Sequence, residues 1–409
     1  MARRKVDHLI IGGGLAAANC ARWLREEGGE GSILLVGREP DPPYNRPPLS
    51  KTYLQGKESR EEVLFRPDEW WDEQNIELLQ RTSVMKLDAA ERVATLSTKD
   101  EIEFETALLA TGSNVKRLRV DGCDLDGIHY LRAFANSDAI RADAETRKRA
   151  VLIGGSYIGC EVAASLTAAH GVDCTIVMME DVTFEPFFGD EVGGFFQRVL
   201  EEHGVTVHGG QELERFEGDG ERVTKVVTKK GLELECDFVV VGIGVTPDVT
   251  LARAAGLELG EAGGVRCSAG LESSVPGIYA AGDICEYDSP VHGAPMRIEH
   301  WDVAFNQGKT AGLNMLGRGV EHDVVPYFFS DLADWVSMEY IGPGSGDVVV
   351  RGSMEEHDFT AFYLDDGRVT AALTVGRSDD LEHAGRFLSE RTQVDPAALA
   401  DPEKDLGSL

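Results

Sequence analysis

The sequence has no closely spaced pair of cysteines. It contains seven cysteines in 409 residues, and no two lie closer together than Cys160 and Cys174. This spacing excludes a Cys-x-x-Cys redox motif, the usual zinc and iron–sulfur ligand patterns, and the disulfide framework of a small secreted domain. We therefore expect a protein of a reduced compartment that holds no metal.

Long apolar runs and an excess of positive charge are also missing. No apolar run approaches the roughly 20 residues that span a bilayer, and the net charge is −31. Such acidity disfavours nucleic acid or an anionic membrane as partner. The basic residues up to Lys5 precede a short strand and glycines rather than the apolar core of a signal peptide. We expect a cytoplasmic monomer or homodimer.

A strand, a glycine-rich turn and a helix occur twice in the chain. Val6–Ile11 leads into Gly-Gly-Gly-Leu-Ala-Ala, and Val151–Ile153 leads into Gly-Gly-Ser-Tyr-Ile-Gly. Each helix is followed by a further apolar strand, which is the plan of a dinucleotide-binding βαβ unit. The sequence therefore predicts an α/β protein with two Rossmann-like domains.

The first turn has the chemistry of a pyrophosphate site. Glycines allow the backbone to approach a phosphate, and the helix N-terminus supplies N–H donors and a positive dipole. The residues expected to do this are Gly12, Gly14, Leu15, Ala16 and Ala17. After the next strand, Glu39 is the candidate for holding a ribose and Arg38 for lying on the adenine. The alternative is a purely structural glycine turn.

The second turn departs from the usual pattern at two positions. Ser156 stands where a central glycine is common, so its hydroxyl either crowds a phosphate or donates to it. The register places Met178 where an acid would read the ribose hydroxyls of NADH, and Glu180 follows two residues later. NADH and NADPH both remain open. The alternative is a nucleotide fold that has lost its nucleotide.

Two later segments complete the candidate cofactor residues. A strand delivers Gly282 and Asp283 to a turn, where the acid is placed to accept a ribityl hydroxyl. The sequence predicts a helix over Val303–Leu316, preceded by Glu299, His300 and Trp301. Its N-terminus would stabilise negative charge on a flavin, and Trp301 is placed to cover that flavin. His300 belongs either to this site or to helix capping and packing. From Val325 onward, alternating strands and a final helix predict a small α+β domain.

Together these motifs resemble the FAD-dependent pyridine nucleotide oxidoreductases of the glutathione-reductase superfamily. Within it the chain resembles the single-component ferredoxin reductases of putidaredoxin and rubredoxin type, and the related apoptosis-inducing-factor group. The resemblance covers nearly the whole chain. It is carried by Ile10–Ala17, Pro43–Lys51, Leu109–Gly112, Val151–Glu161, Val241–Pro247, Tyr279–Asp283, Arg297–Trp301 and Pro326–Asp331.

The resemblance implies three domains and two cofactors, FAD and NAD(P)H. The FAD-binding domain would comprise residues 1–113 and 248–324, the NAD(P)H-binding domain 114–247, and the C-terminal α+β domain 325–409. Besides the first turn with Arg38 and Glu39, the implied FAD residues are Arg46, Lys51, Val84, Ala110, Thr111, Gly112, Arg132, Gly282, Asp283, Glu299, His300, Trp301 and Phe329. The implied NAD(P)H residues are Gly154, Gly155, Ser156, Tyr157, Ile158, Glu161, Met178, Glu180, Gly242 and Gly244.

The chain departs from its apparent relatives at a few of these positions. They often place an acid at Arg38, glycine at Ser156 and an acid at Met178. They also often read Trp-Phe-Trp-Ser-Asp where this chain has Tyr-Phe-Phe-Ser-Asp at residues 327–331.

The segment Pro42–Lys51 holds four prolines, and no cysteine lies between Cys20 and Cys123. The prolines make this segment stiff. In the disulfide-reductase branch of the superfamily two cysteines stand here against the flavin, so the resemblance implies that electrons leave singly to a protein acceptor instead. It also places Lys51 and Glu161 as a catalytic pair beside the flavin. The alternative is an exposed lysine at the start of a helix.

Three functions follow from these features. The first is electron transfer from NADH or NADPH through FAD to a small ferredoxin-type iron–sulfur protein. The second is an apoptosis-inducing-factor-like NADH oxidoreductase whose acceptor is a quinone, oxygen or nothing fast; Glu299, His300 and Asp302 favour it. The third is a nucleotide-responsive flavoprotein with slow turnover, suggested by Ser156 and Met178.

Overall fold

The computed structural model describes residues 3–344 and 346–409, in two compact units. Unit 1 comprises Met1–Asn45, Glu61–Asn114 and Thr246–Tyr327, and unit 2 comprises Arg46–Arg60, Val115–Val245 and Phe328–Leu409. Met1 and Ala2 of the predicted FAD-binding domain, and Ser345 of the predicted C-terminal domain, lie outside the described residues. The division of the chain into three domains, with the boundaries given above, stays a prediction. In the two-unit division, residues 46–60 and 328–409 group with 115–245.

The strands alternate with helices through most of the chain. In order they are β1 (Arg3–Ile11), β2 (Ile33–Val36), β3 (Ile76–Leu79), β4 (Val84–Asp88), β5 (Val93–Leu96), β6 (Glu101–Leu109), β7 (Ser113–Val115), β8 (Ile128–Tyr130), β9 (Arg149–Ile153), β10 (Asp173–Val177), β11 (Thr206–His208), β12 (Leu213–Asp219), β13 (Arg222–Thr228), β14 (Glu233–Glu235), β15 (Phe238–Val241), β16 (Val245–Pro247), β17 (Val265–Cys267), β18 (Ile278–Ala280), β19 (Cys285–Ser289), β20 (Ala294–Met296), β21 (Tyr327–Leu332), β22 (Val336–Ile341), β23 (Asp347–Ser353), β24 (Asp358–Asp365) and β25 (Arg368–Val375).

The α-helices are α1 (Leu15–Glu26), α2 (Arg60–Val63), α3 (Asp68–Glu73), α4 (Phe134–Thr146), α5 (Tyr157–His170), α6 (Glu185–Glu202), α7 (Thr250–Ala254), α8 (Trp301–Met315), α9 (Asp379–Glu390) and α10 (Pro396–Ala400). Short 3-10 turns form at Pro47–Ser50, Gly282–Ile284 and Leu406–Ser408. Among the described residues, no helix combines the length and the apolar character needed to cross a membrane.

Unit 1 is built on a mostly parallel sheet in the order β3-β2-β1-β6-β5-β4, with β18 also paired to β6. β1 pairs in parallel with β2 and with β6, so its residues Leu9, Ile10 and Ile11 are fully enclosed. A strand buried on both faces needs a continuous apolar run rather than alternation, which is what the sequence has there.

Two helices of unit 1 approach each other unusually closely. A Cβ atom at Gly308 on α8 would lie 2.5 Å from the carbonyl oxygen of Ala16 on α1, and one at Gly312 would lie 2.9 Å from that of Cys20. Only residues without a side chain fit at such distances. The small residues of α1 and α8 therefore allow the backbones of these two helices to lie against each other.

Unit 2 contains a parallel sheet in the order β11-β10-β9-β15-β8, the order expected of a second dinucleotide fold. An antiparallel sheet, β12-β13-β14, adjoins it in sequence. The C-terminal residues form a further antiparallel sheet, β21-β22-β25-β24-β23, against which α9 packs through Leu381, Ala384 and Phe387.

A buried arginine ties the end of the chain to this last sheet. Arg351 on β23 is 5% exposed, and its guanidinium donates to the carbonyl oxygens of Asp401 at 2.5 Å, Pro402 at 3.2 Å and Lys404 at 2.9 Å. Its charge is balanced by Asp380, whose carboxylate lies 3.5 Å from Nε. One side chain thus satisfies several backbone acceptors of the final turn.

Replacing Arg351 with methionine should destabilise the protein by about 3 kcal/mol, because it leaves several backbone carbonyl groups of the final turn without their charged donor. The measurement is urea unfolding followed by circular dichroism. Arg368→Met, at an exposed position on β25, is the control. Equal stability of the two variants would contradict the role given to Arg351.

Candidate functional site

The first glycine turn follows β1 directly and begins α1. Gly12 has a φ of +128°, and a Cβ atom there would lie 2.1 Å from the carbonyl oxygen of Ala110. At the next position the backbone of Gly13 lies against Gly37, because a Cβ on Gly13 would sit 3.4 Å from the Gly37 Cα. The turn therefore has glycine where the chain has no room for a side chain.

The outer side of this turn is open and fits a phosphate group. Gly14 is the N-cap of α1 with no capping side chain, and nothing lies within 4 Å of a Cβ built on it. The first N–H groups of an α-helix have no partner within the helix. Those of Leu15, Ala16 and Ala17 are thus positioned as anion donors, together with the helix dipole.

The ribose and adenine candidates, Glu39 and Arg38, are held by unit 1 itself. The Tyr44 hydroxyl donates to Glu39 at 2.5 Å. The guanidinium of Arg38 donates to Asn114 at 2.8 Å and lies 3.2 Å from a carboxylate oxygen of Asp248. Arg38 is half exposed, so one of its faces remains accessible.

The segment after β6 is anchored to the stretch around Asp248. Ala110 donates its N–H to Ile11, and the Thr111 hydroxyl donates to the carbonyl oxygen of Asp248 at 2.7 Å. Gly112 accepts the Asp248 N–H at 2.8 Å. Val84, another predicted FAD residue, is half buried at the start of β4 and packs on the core of unit 1.

The turn after β18 presents Gly282 and Asp283 next to α8. Gln307 on α8 accepts the Gly282 N–H at 2.8 Å, and its buried amide nitrogen has no partner among the described residues. A buried amide without a partner is rare in a complete protein. The orphaned nitrogen therefore fits a site that holds a polar cofactor.

The residues before α8 combine a buried imidazole and stacked aromatic rings. Burial lowers the pKa of His300 to about 4, against the opposing effect of Asp283, so the ring is neutral at physiological pH. Glu299 accepts a hydrogen bond from Arg297 at 2.5 Å. The Trp301 ring stacks on Phe305 with centroids 5.2 Å apart, and its Nε1–H donates to Asn45 at 3.2 Å.

The second glycine turn, in unit 2, repeats the geometry of the first. Gly154 has a φ of +109°, and a Cβ atom there would lie 2.4 Å from the carbonyl oxygen of Gly242. Ser156 is the N-cap of α5, but its hydroxyl makes no capping hydrogen bond. Its side chain is partly exposed, which leaves the hydroxyl available to a ligand. Gly244, on the same side of the sheet, has a φ of +90°.

Met178 directly follows β10, where the sequence register placed it, and its side chain is buried. It is 2% exposed, and its sulfur lies 2.0 Å from where a Cβ on Gly155 would stand. The thioether fills the space beneath the turn, because the missing side chain at Gly155 leaves room for it. The methionine that projects into solvent is Met179, which is 68% exposed. Met178 therefore packs against the glycine turn, and its assignment to the NAD(P)H site stays a prediction.

The start of α5 carries an aromatic cluster. The Tyr157 ring lies 5.3 Å from Phe184, 5.0 Å from Phe187 and 5.1 Å from Phe328, measured between centroids. Burial raises the pKa of the Tyr157 hydroxyl well above its ordinary value, so it stays protonated. Ile158 follows it, close to the Gly242 position.

Lys51 and Glu161 form a buried ion pair within unit 2. The ammonium lies 2.7 Å from one carboxylate oxygen, and the two side chains are 10% and 6% exposed. The prediction that these residues pair is confirmed, and the alternative of an exposed lysine is excluded. Lys51 is placed by the 3-10 turn Pro47–Ser50, and Glu161 by the first turns of α5.

Sequence reasoning missed two further partners of Glu161. The Ser50 hydroxyl donates to one carboxylate oxygen at 2.5 Å, and the Ser330 hydroxyl donates to the other at 2.6 Å. Both serines stand in stretches that carry the family resemblance, next to residues that were singled out. Their hydroxyls had no distinguishing signal, because serine is common and its partner lies far away in sequence.

Three other predicted FAD residues lie in unit 2, where two of them contact each other and the third lies near the ion pair. Arg46 donates to the backbone carbonyl of Arg132 at 2.5 Å. The Phe329 ring is 38% exposed, and its centroid lies 5.7 Å from the Lys51 ammonium, within range of a cation–π interaction. The ammonium is therefore bounded by a carboxylate on one side and an aromatic ring on another.

The family model described as pyridine nucleotide-disulphide oxidoreductase matches residues 6–308. The chain belongs to this family. A second model, described as the reductase C-terminal domain, matches residues 327–409 of the reductase. A probable ferredoxin reductase of Castellaniella defragrans is 32% identical over 403 residues, covering 98% of this reductase and 98% of that protein.

Two solved structures resemble the reductase along nearly its whole length. The ferredoxin reductase for the CYP199A2 system from Rhodopseudomonas palustris has a TM-score of 0.93 and 32% identity, covering 98% of this chain and 99% of that chain. The reductase in a covalent putidaredoxin reductase–putidaredoxin complex also has a TM-score of 0.93 and 32% identity, covering 98% of this chain and 97% of that chain. These matches confirm the predicted family and the fold class of two Rossmann-like domains with a small C-terminal domain.

The reductase is accordingly an NAD(P)H-dependent flavoprotein, with FAD and NAD(P)H as its cofactors. The residues of both units fit these groups. The open N-termini of α1 and α5 suit two pyrophosphates, and the orphaned amide of Gln307 suits a polar cofactor in unit 1. The assignment of individual residues to FAD or to NAD(P)H stays a prediction.

The ion pair should show strong coupling in a double-mutant cycle. Lys51→Met and Glu161→Gln should each lower the free energy of unfolding by about 3 kcal/mol, because each leaves one buried charge alone. The double variant should cost clearly less than the sum of the two. Urea unfolding measures all three. The exposed pair Lys225–Glu233 in unit 2 is the control and should show almost no coupling. Coupling no larger than the control's would contradict a buried pair.

Proposed function

We propose that the protein is the NAD(P)H-dependent reductase of a small ferredoxin-type iron–sulfur protein. The observation that carries this proposal is the buried Lys51–Glu161 pair, whose lysine ends the proline segment where a disulfide reductase would have two cysteines. The similar proteins are named as ferredoxin reductases, and one solved relative is held in a complex with putidaredoxin. This supports electron transfer to an iron–sulfur protein as the function.

The chain's residues supply binding and charge, while the cofactor supplies the redox chemistry. When bound, FAD accepts a hydride from NAD(P)H and gives its electrons up singly. In the proposed arrangement the Lys51 ammonium favours negative charge on the reduced cofactor. Glu161 holds that ammonium in one position and balances its charge when no negative charge is present. Ser50 and Ser330 fix both oxygens of Glu161, so the carboxylate cannot rotate away.

We also propose that the protein works in the cytoplasm, as a monomer or homodimer, without nucleic acid or membrane as its partner. The net charge of −31 supports this, because it repels both polyanions. The seven cysteines of the sequence are all free, and those other than Cys123 are buried, which suits a reduced compartment.

Rapid mixing with each nucleotide tests the function. We expect the bound flavin to lose its oxidised absorbance within about a second, the range of ordinary enzyme turnover. Cytochrome c reduction should become fast only when a ferredoxin-type protein is added.

The other outcomes identify the competing functions. Fast flavin reduction without ferredoxin coupling would instead indicate an oxidoreductase of the apoptosis-inducing-factor kind. A long-lived complex of the flavoprotein with nucleotide, or no reduction at all, would indicate a nucleotide-responsive flavoprotein.

Lys51→Met should retain FAD but slow flavin reduction by about tenfold or more, since one fixed charge near developing charge is commonly worth that much. Stopped-flow absorbance gives the rate, and the charge-transfer band on NADH addition gives a second signal. Lys57→Met removes an exposed lysine of the same segment and should behave as the wild type. Unchanged reduction kinetics in Lys51→Met would remove the proposed role.

A further inference from the structure

The stretch that follows β10 carries acid but no base. Residues 178–185 read Met-Met-Glu-Asp-Val-Thr-Phe-Glu, with three carboxylates and no lysine, arginine or histidine. In open parallel sheets a nucleotide binds beyond the carboxyl ends of the strands, and the residues after the second strand meet the adenine ribose. This stretch is therefore where NADH and NADPH would be told apart, since they differ only in the 2′-phosphate of that ribose.

The stretch is fixed against the glycine turn. Phe184 donates its N–H to the carbonyl oxygen of Gly155 at 2.9 Å, and Gly210 donates to the carbonyl oxygen of Glu180 at 2.8 Å. The Glu185 carboxylate accepts the N–H groups of Asp181 at 2.7 Å and Val182 at 3.3 Å. Glu185 is thus used within the turn, and the backbone on either side of Glu180 is held in place.

The position that usually discriminates is unavailable here. Met178 is buried under Gly155 and offers no polar group. Glu180 is the first carboxylate after the strand and is partly exposed. Its carboxylate makes no hydrogen bond or ion pair with any other residue that the structure describes, so it is free for a ligand.

The cations near this stretch do not offset its charge. Lys229 is paired with Glu212. The Lys230 ammonium lies 3.3 Å from where a Cβ on Gly210 would stand, and a carboxylate oxygen of Asp181 lies at the same distance from that point. Lys230 thus lies beside Asp181, one of the three carboxylates of the stretch. The stretch carries two more negative charges than this one ammonium offsets, which leaves the surroundings of a 2′-phosphate negative.

We propose that the reductase selects NADH over NADPH, and that Glu180, rather than residue 178, carries the selection. Its carboxylate accepts a hydrogen bond from a free 2′-hydroxyl and repels a 2′-phosphate. This inference rests on the proposed function, because it assumes that the second glycine turn binds a nicotinamide dinucleotide.

The test uses two probes that differ only in the 2′-phosphate, AMP and adenosine 2′,5′-bisphosphate. Calorimetric titration of the FAD-loaded full chain should show that AMP binds about tenfold more tightly or better, as expected for a carboxylate near a doubly charged group. Glu180→Gln should reduce this ratio several-fold, and Glu180→Arg should reverse it. Glu202→Gln removes an equal charge from the exposed far end of α6 and should leave the ratio unchanged. Raising the salt concentration should narrow the wild-type ratio, because the repulsion is screened.

The possible failures are distinguishable. If the wild type binds the bisphosphate as tightly as AMP, or if Glu180→Gln leaves the ratio unchanged, this inference is overturned while the proposed function stands. If neither probe binds, the second nucleotide fold holds no nucleotide, and both fall together.

Discussion

Glu161 receives its hydrogen bonds from side chains that are far apart in sequence. Lys51 and Ser50 come from the proline segment, and Ser330 comes from the strand that opens the C-terminal sheet. A carboxylate buried this deeply is unfavourable unless it is paired and hydrogen-bonded. Helix α5, the proline segment and β21 must therefore meet in one arrangement within unit 2. This single group links the second nucleotide fold to residues 46–60 and 328–409, which belong to the same compact unit.

The two glycine turns have the same backbone geometry. In each, the first glycine has a positive φ and presses on a carbonyl oxygen of a facing segment, Ala110 in unit 1 and Gly242 in unit 2. The helix that follows has an uncapped N-terminus in both cases. The turns differ on their inner side, where Gly13 meets Gly37 but Gly155 meets the sulfur of Met178. Both turns thus have an open outer side that fits a pyrophosphate. The residue that packs against the inner side differs between the two folds. That difference buries the side chain of Met178, the first residue after β10, against the second turn.

The absence of cysteines from the proline segment matters as much for the chemistry of the chain as the presence of Lys51 does. The proline segment brings a charged nitrogen to a buried position and no sulfur, so its residues cannot form an active-site disulfide. Burial raises the thiol pKa of Cys20 and of Cys160, which makes these two cysteines poor nucleophiles. In the proposed function the electrons therefore pass to an external iron–sulfur protein. The large negative charge of the chain means that an acidic acceptor would have to find a local basic surface.

The sequence by itself determined the two nucleotide folds, their order and the family, because glycine turns between apolar strands and small-residue helices are local patterns. It also identified Lys51 and Glu161, through motifs on either side of each residue. Tertiary structure decided what local patterns do not contain. Ser50 and Ser330 became partners of Glu161 across 111 and 169 positions of the chain, and Met178 turned under Gly155 because a neighbouring glycine left space there. The position of a residue along a strand predicts only which face of the sheet its side chain lies on. How deeply that side chain is buried depends on the size of the residue that packs against it.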